Sequence, residues 1–196
     1  MLSKTEIIRR LDEGPLKDRL VITPLLDRDL QISGVAIDLR LGNIFLLPRR
    51  ANISAIDALS KTSESESKKH QECITRVRGK DLRLLPGEFV LGATLEYVSL
   101  PLDLAGLVTS RSSWGRAGLV IATAVSVAPG FKGVITLELA NLGVVPLVLR
   151  PGLRVAQIMF SKTNTTVAYD GRYSCATRPE FGKVHKDKEA QFFGPK

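Results

Sequence analysis

The amino-acid sequence predicts a mainly β protein, folded as a distorted barrel or a double-sheet jelly roll with a short N-terminal helix. Two observations predict this fold class. Short runs rich in Val, Ile and Leu recur roughly every 8 to 12 residues, and Gly, Pro and Asn separate them. No helical periodicity intervenes between the runs, and many short strands in series are typical of all-β barrels and jelly rolls. We therefore expect a low helical content.

The first predicted element is the N-terminal helix. Ser3-Lys4-Thr5-Glu6 fits a capping box, with Ser3 as the N-cap and Glu6 at the third helical position. Apolar residues follow at helical spacing, and Gly14-Pro15 end the helix. The apolar residues of this helix are Ile7, Ile8 and Leu11. The strands are then predicted at residues 20–22, 36–41, 45–47, 89–95, 105–108, 119–124, 134–139, 145–149 and 155–160.

The chain is expected to form one domain over residues 1–196, because 196 residues suffice for one well-filled core. Residues 60–69 read Ser-Lys-Thr-Ser-Glu-Ser-Glu-Ser-Lys-Lys. So polar a stretch buries too little apolar surface to offset the entropy of ordering, and we expect a mobile loop at about 60–70. From about residue 170 the chain is polar and basic. We expect this C-terminal tail to lie over another surface or to order on ligand binding.

The composition favours anionic partners. A net charge of +8 and an isoelectric point near 9.7 suit nucleic acid, nucleotides or an anionic membrane surface, and charge alone does not choose among them. No aromatic platform or nucleic-acid motif supports a nucleic-acid partner. The N-terminus lacks the apolar core of a signal peptide, and no apolar run approaches the roughly 20 residues that span a bilayer. We expect a cytoplasmic protein without a membrane partner, in which Cys73 and Cys175 are free thiols.

Histidine and zinc chemistry find little support in the sequence. His70-Gln71-Glu72 matches the first half of the zinc deaminase signature, but the Pro-Cys-x-x-Cys pair that completes the metal shell is missing. Neither His70 nor His185 lies in a strand-end context that suits a Ser-His-Asp site. There is also no P-loop and no dinucleotide glycine pattern. An enzyme built on this chain is therefore expected to use carboxylate and hydroxyl groups, without a protein-bound metal.

Glu138 is the outstanding candidate for proton transfer. It interrupts the apolar run Val134-Ile135-Thr136-Leu137-Glu138-Leu139-Ala140, where strand alternation places it on the same face as Thr136 and Ala140. Apolar neighbours raise the proton affinity of a carboxylate, which suits a group that takes and returns a proton near neutral pH. The alternative is an edge position that faces solvent, and the pattern alone does not separate the two.

Arg111-Ser112-Ser113-Trp114-Gly115-Arg116, which we call the arginine turn, is a candidate anion site. Arg111 suits pairing with phosphate oxygens, and the serine hydroxyls and backbone N–H groups add further donors. The alternative is a solvated turn with N-capping serines, and composition alone favours that interpretation.

Related motifs run in order along most of the chain. The central ones are Arg111-Ser112-Ser113-x-x-Arg116-x-Gly118-Leu119, Thr123-Ala124, Pro129-Gly130-x-x-Gly133 and Thr136-Leu137-Glu138-Leu139-x-Asn141. The flanking ones are Ile37-Asp38-Leu39-Arg40-Leu41-Gly42-Asn43-x-Phe45, Leu85-Pro86-Gly87-Glu88-Phe89, Leu149-Arg150-Pro151-Gly152 and Tyr169-x-Gly171-Arg172-Tyr173. Together these segments resemble the dCTP deaminase family, which belongs to the trimeric dUTPase superfamily.

The resemblance implies a dUTPase-like β-barrel or jelly-roll subunit in a homotrimer, with active sites at subunit interfaces. It also implies hydrolytic deamination of dCTP to dUTP and ammonia, a step of pyrimidine deoxynucleotide biosynthesis. The reaction would use no zinc, and Mg²⁺ would be bound with the nucleotide triphosphate. Further candidate ligands of the same site are dUTP and dTTP.

The family's functional residues carry over to matching positions here. Glu138 would be the general acid and base, while Ser112 and Arg116 would hold the attacking water and the carboxylate. The carbonyl of Ala124 would help to hold the base and the water. The implied substrate-binding residues are Arg111, Ser112 and Ser113 at the phosphates, Thr136 and Leu137 at the base and sugar, and Arg116, Ala128, Glu138, Tyr169, Arg172 and Ala176.

Ala128 is the main departure from the family pattern, which has an aspartate before Pro-Gly to bind the sugar 3′-hydroxyl. The side chain of Ala128 accepts no hydrogen bond, so the backbone or another residue recognises the sugar, or sugar selectivity has loosened. The same loss argues against a dUTPase or a dUMP-forming enzyme, where a carboxylate would orient the water that attacks phosphorus. The alternative to a deaminase is a non-catalytic or altered-specificity nucleotide-binding homologue on the same trimeric scaffold.

Overall fold

The N-terminal helix forms where the capping residues predict it. The computed structural model describes residues 1–48, 71–76, 80–122, 126–184 and 192, so the loop expected at about 60–70 and Ala124 lie outside the described residues. Helix α1 covers Lys4–Asp12, and the Ser3 hydroxyl accepts a hydrogen bond from the Glu6 backbone N–H at 3.3 Å. The Glu6 carboxylate accepts hydrogen bonds from Arg9, one turn further on. Ile7 is fully buried and anchors the helix to the core.

The remaining elements are mainly strands. After α1 come a 3-10 helix (Leu16–Asp18), β1 (Val21–Thr23), α2 (Arg28–Gln31), β2 (Ala36–Arg40) and β3 (Ile44–Pro48). The middle of the chain forms β4 (Gln71–Thr75), β5 (Leu82–Leu84), β6 (Phe89–Ser99), β7 (Leu104–Ser110) and α3 (Ser112–Arg116). Then follow β8 (Leu119–Ile121), β9 (Ser126–Val127), β10 (Lys132–Asn141), β11 (Leu147–Leu149) and β12 (Arg154–Lys162). The predicted mainly β fold is confirmed.

Antiparallel pairing arranges the described strands in layers. One sheet has the order β4-β3-β6-β10-β8, with β1 paired to the end of β6, and a second has the order β2-β12-β7-β9. Strands β5 and β11 form a separate pair. Strand β10 therefore lies inside its sheet, with Glu138 opposite Leu91 of β6 and Leu139 opposite Ile121 of β8.

The core lies between the sheets and draws on alternate residues of the long strands. In β10 the side chains of Ile135, Leu137 and Leu139 are buried, while Thr136 and Glu138 alternate with them and are only partly buried. Burying a leucine side chain contributes about 1.5 to 3 kcal/mol, so this register is strongly specified. The sheet thus fixes which face of β10 carries Glu138.

Two further observations concern the helices and the cysteines. No helix in the part of the chain that the structure describes is long and apolar enough to cross a bilayer. Cys73 and Cys175 are both free thiols, as predicted.

Candidate functional site

Glu138 projects from the middle of β10 into a cavity of about 520 Å³. Because β10 pairs with β6 on one side and β8 on the other, the alternative of a solvent-facing edge position is wrong. The backbone of Glu138 is fixed as well, since its carbonyl accepts a hydrogen bond from the N–H of Ala122 at 2.9 Å. Thr136 lies two residues away on the same face and also lines the cavity, as the alternation predicts.

Two parts of the chain build the walls of the cavity. The strands and the loop before β10 contribute Phe89, Leu91, Ser126, Val127, Ala128, Phe131, Val134, Ile135, Thr136 and Glu138. The C-terminal tail contributes Tyr169, Tyr173, Ala176, Glu180, Phe181 and Gly182. Most of these side chains are apolar, which makes the cavity suited to a flat, partly apolar ring with a few polar edges.

The apolar walls alter the acidity of Glu138. Burial raises the pKa of the Glu138 carboxyl above its ordinary value of 4.5. A carboxyl whose pKa moves toward neutrality exchanges protons more readily at physiological pH than an ordinary glutamate does. The cavity therefore holds a carboxyl whose pKa is raised, which is the property that the sequence pattern predicted for Glu138.

The tail is held against β10 and the loop before it by backbone hydrogen bonds. The Val134 N–H donates to the Ala176 carbonyl at 2.8 Å, and the Tyr169 N–H donates to the Pro129 carbonyl at 2.8 Å. The ring of Tyr169 also packs against Phe131, with ring centroids 5.7 Å apart. These contacts place the described part of the tail beside β10 and the loop that precedes it.

The two glycines of Pro129-Gly130-x-x-Gly133 permit this approach. Gly133 has φ 146°, and a Cβ there would lie 2.9 Å from the backbone nitrogen of Ala176. Gly130 has φ 76°, and a Cβ there would lie 2.9 Å from Ala168. Both positions therefore need glycine, because a side chain would be strained and would push the tail away.

Ala128 lies in the cavity wall at the turn before β10. Its carbonyl accepts a hydrogen bond from the Phe131 N–H at 3.1 Å, so the turn itself uses that acceptor. The polar side chains elsewhere on the lining include Ser126 and Glu180. No sequence pattern singles out Glu180, whose backbone N–H donates to the Thr136 hydroxyl at 3.2 Å.

The expectation that the Leu137 side chain lines the base and sugar pocket is wrong. Its side chain is fully buried in the core on the opposite face of β10 from Thr136 and Glu138. Strand alternation is the physical reason, because successive side chains point to opposite faces. Any contact of Leu137 with a ligand would fall to its backbone.

The arginine turn lies at the end of β7, where α3 begins. The Arg111 N–H donates to the Val155 carbonyl at 2.9 Å, which ties the turn to β12. The Arg111 guanidinium is held by Asp38 of β2, with Nε 2.9 Å from Oδ2. Ser112, Ser113 and Arg116 are exposed on α3. The turn thus displays hydroxyl and guanidinium groups at the surface on a fixed backbone.

The structure divides the predicted site residues into two groups within one chain. Five of them line the cavity: Ala128, Thr136, Glu138, Tyr169 and Ala176. The predicted residues of the arginine turn, Arg111, Ser112, Ser113 and Arg116, are not among the lining residues. Arg172 is likewise absent from the lining, and its guanidinium donates to the Lys183 carbonyl at 2.7 Å. Strand β8 connects the two groups, since it follows the turn and pairs with β10.

Within the ranges that the structure describes, no group of three or more His, Cys, Asp or Glu side chains is arranged to hold a metal ion. Glu72, from the partial zinc deaminase motif, lies in β4 rather than in the cavity.

Known proteins resemble the chain over most of its length. A sequence model of the dCTP deaminase-like family matches residues 1–163. A Natronomonas pharaonis protein named dCTP deaminase is 41% identical, over 96% of this chain and 97% of its own. A Dictyoglomus thermophilum protein named dCTP deaminase, dUMP-forming, is 44% identical over 84% of this chain and 81% of its own.

A solved structure has the same fold. The crystal structure of 2′-deoxycytidine 5′-triphosphate deaminase from Agrobacterium tumefaciens matches with a TM-score of 0.61 at 23% identity. The match covers 85% of this chain and 49% of that one, so this chain spans about half the length of that protein.

Proposed function

The chain belongs to the dCTP deaminase-like family, and from this premise we propose that it is an enzyme that hydrolyses dCTP to dUTP and ammonia. The observation that carries the proposal is the place of Glu138. A carboxyl with a raised pKa projects into an apolar cavity large enough for a nucleoside. The reaction would belong to pyrimidine deoxynucleotide metabolism in the cytoplasm.

Glu138 moves the protons of the proposed reaction. Its carboxylate accepts a proton from a water molecule as the water oxygen attacks C4 of the cytosine ring, and it passes that proton to ring nitrogen N3. The hydroxyl group now on C4 gives its remaining proton through Glu138 to the amino group, the C4–N bond breaks, ammonia leaves, and C4 becomes the carbonyl of uracil. Ser112, Arg116 and the Ala124 carbonyl hold the water, the carboxylate and the base in the family's arrangement.

The two groups of residues divide the nucleotide between them. The cavity binds the base and the sugar, with Thr136, Ala128, Tyr169 and Ala176 around them. Leu137 contacts the nucleotide through its backbone only. The arginine turn takes the triphosphate through Arg111, Ser112 and Ser113. The Mg²⁺ ion arrives with the triphosphate as part of the substrate. Arg172 of the tail adds a positive charge on the outer side.

The separation of these groups supports a site shared between subunits. In one chain the arginine turn does not line the cavity that holds Glu138. We propose that a second copy supplies the turn, in a homotrimer whose active sites lie at the subunit interfaces. A cyclic trimer repeats one such interface around its axis, so each site combines the two groups from neighbouring copies.

A nucleotide screen tests the reaction. Purified protein is incubated with dCTP, dCDP, dCMP and CTP, ammonia release is followed, and products are identified by chromatography. We expect ammonia and dUTP from dCTP, with Glu138→Gln as the inactive control. Absence of ammonia beyond this control would contradict deamination and favour a nucleotide-binding homologue. Formation of dUMP and pyrophosphate would contradict the product assignment, which rests on Ala128, and would place the chain with its dUMP-forming relatives.

Subunit mixing tests the shared site. Glu138→Gln and Arg116→Ala subunits are each expected to be inactive as pure trimers. In mixed trimers, about a quarter of the interfaces combine an intact arginine turn from one copy with an intact Glu138 from its neighbour, if the copies assemble at random. We therefore expect activity to return after the two variants are unfolded and refolded together. No recovery in mixed trimers of verified composition would show that each copy builds its own site.

A further inference from the structure

We propose that Asp38 is a positioning residue that holds Arg111 in the orientation in which this arginine binds phosphate oxygens. The inference rests on the proposed function, because it takes the triphosphate as the ligand of Arg111. It assigns a role in that function to Asp38 of β2, which contacts Arg111 and does not itself touch the ligand.

The contact between the two side chains is direct and largely shielded from water. Asp38 lies in the middle of β2, and its side chain is 9% exposed. Its Oδ2 atom is 2.9 Å from Nε of Arg111 and 3.0 Å from Nη1 of Arg154. The backbone carbonyl of Asp38 accepts a hydrogen bond from Gln31 at 3.0 Å, which fixes the strand at this point. The carboxylate is therefore a rigid anchor for two guanidinium groups.

The arginine keeps donors for a ligand while it is held. A guanidinium has five N–H donors, and Arg111 uses Nε on Asp38 and Nη1 on the Arg154 carbonyl, at 3.3 Å. Among the described residues, Nη2 of Arg111 has no hydrogen-bond partner, and the side chain is 29% exposed. Nε of the fork is thus fixed, and N–H groups at the Nη1 and Nη2 end remain available in a partly exposed side chain. This is the geometry that bidentate phosphate recognition needs.

The same cluster keeps a positive charge at the surface. One carboxylate lies between two guanidinium groups, so the three side chains carry a net charge of +1. Arg154 is also held independently of Asp38, since its Nη1 donates to the Leu30 carbonyl at 2.6 Å. Its own carbonyl accepts from Trp114 of the arginine turn at 3.1 Å. The second bond of the Arg111 side chain, to the Arg154 carbonyl, is longer at 3.3 Å, so loss of the Asp38 charge would loosen Arg111 more than Arg154.

Equilibrium binding measures the role of Asp38. Glu138→Gln protein keeps dCTP intact, so Asp38→Asn is introduced into that background and titrated with dCTP and with deoxycytidine, which has no phosphate. We expect the Kd for dCTP to rise about tenfold, the scale of a lost charge-assisted hydrogen bond, while the Kd for deoxycytidine stays within about twofold. A matched control is Asp103→Asn, which breaks the ion pair with Arg10 at the opposite end of β7 and is expected to change neither Kd.

A double-mutant cycle separates positioning from general damage. In an Arg111→Ala background, Asp38→Asn is expected to add less than about twofold to the Kd for dCTP, because the residue through which it acts is gone. Breaking a buried ion pair can unfold a protein, so Asp38→Glu serves as a second variant. It keeps the charge but moves the carboxylate by one methylene, and we expect it to weaken dCTP binding while deoxycytidine binding is retained.

The outcomes are distinct. Equal dCTP affinity in the Asp38 and Asp103 variants would overturn the inference, as would an equal loss of dCTP and deoxycytidine affinity. An undiminished effect of Asp38→Asn without Arg111 would overturn it too. Wild-type protein that releases no ammonia from dCTP contradicts the proposed function, but the binding comparison still reports on Asp38. The selective loss of dCTP affinity supports the inference.

Discussion

The arginine turn and the Glu138 cavity treat their charged groups in opposite ways. At the turn, Arg111 is held by a counter-charge, the Asp38 carboxylate at 2.9 Å, and by a backbone carbonyl of the neighbouring strand. In the cavity, Glu138 is surrounded mainly by apolar side chains, and burial raises its pKa. Burial raises the pKa of Asp38 as well, but there the guanidinium groups of Arg111 and Arg154 oppose the shift, whereas at Glu138 desolvation alone gives it its direction.

The difference matches the tasks that we propose for the two regions. A group that binds a phosphate needs a permanent charge and a fixed direction, which an ion pair with a buried carboxylate provides. A group that shuttles a proton needs two protonation states of similar free energy, and desolvation raises the pKa of Glu138 in that direction. The following substitutions change the cavity, the arginine turn or the tail, and each should affect a different property.

The largest effect is expected from Glu138→Gln. Without a proton acceptor on the attacking water, kcat for dCTP deamination should fall by about 10² to 10⁴, measured as ammonia release. The matched control is Glu180→Gln, which removes a second carboxyl from the same cavity. A loss of kcat in Glu180→Gln as large as that in Glu138→Gln would contradict the assignment of proton transfer to Glu138.

A smaller effect, and a different one, is expected from Arg111→Ala. The KM for dCTP should rise by about 10- to 100-fold, because a hydrogen bond to a charged phosphate contributes about 1.5 to 3 kcal/mol. The change in kcat should be much smaller than the change in KM. The control is Arg150→Ala, which removes an exposed ion pair with Asp81 and should leave both constants unchanged. If Arg111→Ala lowers kcat alone, the arginine turn has no binding role.

The tail provides the third test. Gly133→Ala should lower the free energy of unfolding by about 1 to 3 kcal/mol, because φ 146° is strained for alanine and the new Cβ meets the Ala176 backbone. Hydrogen exchange should then show faster exchange at Val134, whose N–H bonds to the tail. Gly34→Ala is the control, since a Cβ there meets nothing within 4 Å. Unchanged exchange at Val134 would show that the glycine does not govern the approach of the tail.

The smallest effect concerns stability and pH. The pKa of Glu138 is raised in the folded protein, so its favourable contribution is complete below the unfolded value and is lost as pH rises through the folded pKa. Glu138→Gln removes this loss. Relative to wild type, the variant should therefore gain stability as the pH rises above the unfolded value of 4.5, measured by denaturant unfolding. A difference between the two proteins that stays constant with pH would contradict the raised pKa.

Most strands of the fold were predictable from the sequence, including the three-residue strands β1, β8 and β11, but three short strands were not. Strand β10 was predictable because apolar residues alternate along it, and one face of the strand is buried in the core. Strands β4, β5 and β9 were missed because two to five residues carry too little pattern, and pairing with a neighbour determines their conformation. The single turn of α2 was missed for the same reason, although Asp27 caps it.

Those parts of the candidate site that lie within a single strand or a single turn were predictable from the sequence. The face shared by Glu138 and Thr136 follows from strand alternation, whereas the tail reaches the cavity through backbone bonds that no side-chain pattern encodes. Asp38 did give a signal. It is a lone carboxylate between Ile37 and Leu39, the same kind of interruption that singled out Glu138. Its arginine partners lie far away in sequence, so only the fold reveals what it contacts.

The attachment of the tail has a consequence for how the substrate range of such an enzyme can change. Main-chain groups hold the tail at Pro129 and Val134, and these bonds do not depend on which side chains the tail carries. Residues such as Tyr173 and Glu180 can therefore be exchanged without disturbing the strands beneath them. The tail is therefore a part of the cavity wall whose side chains can change while its backbone attachment stays. Replacing the tail sequence on the same barrel is a direct way to change nucleotide specificity.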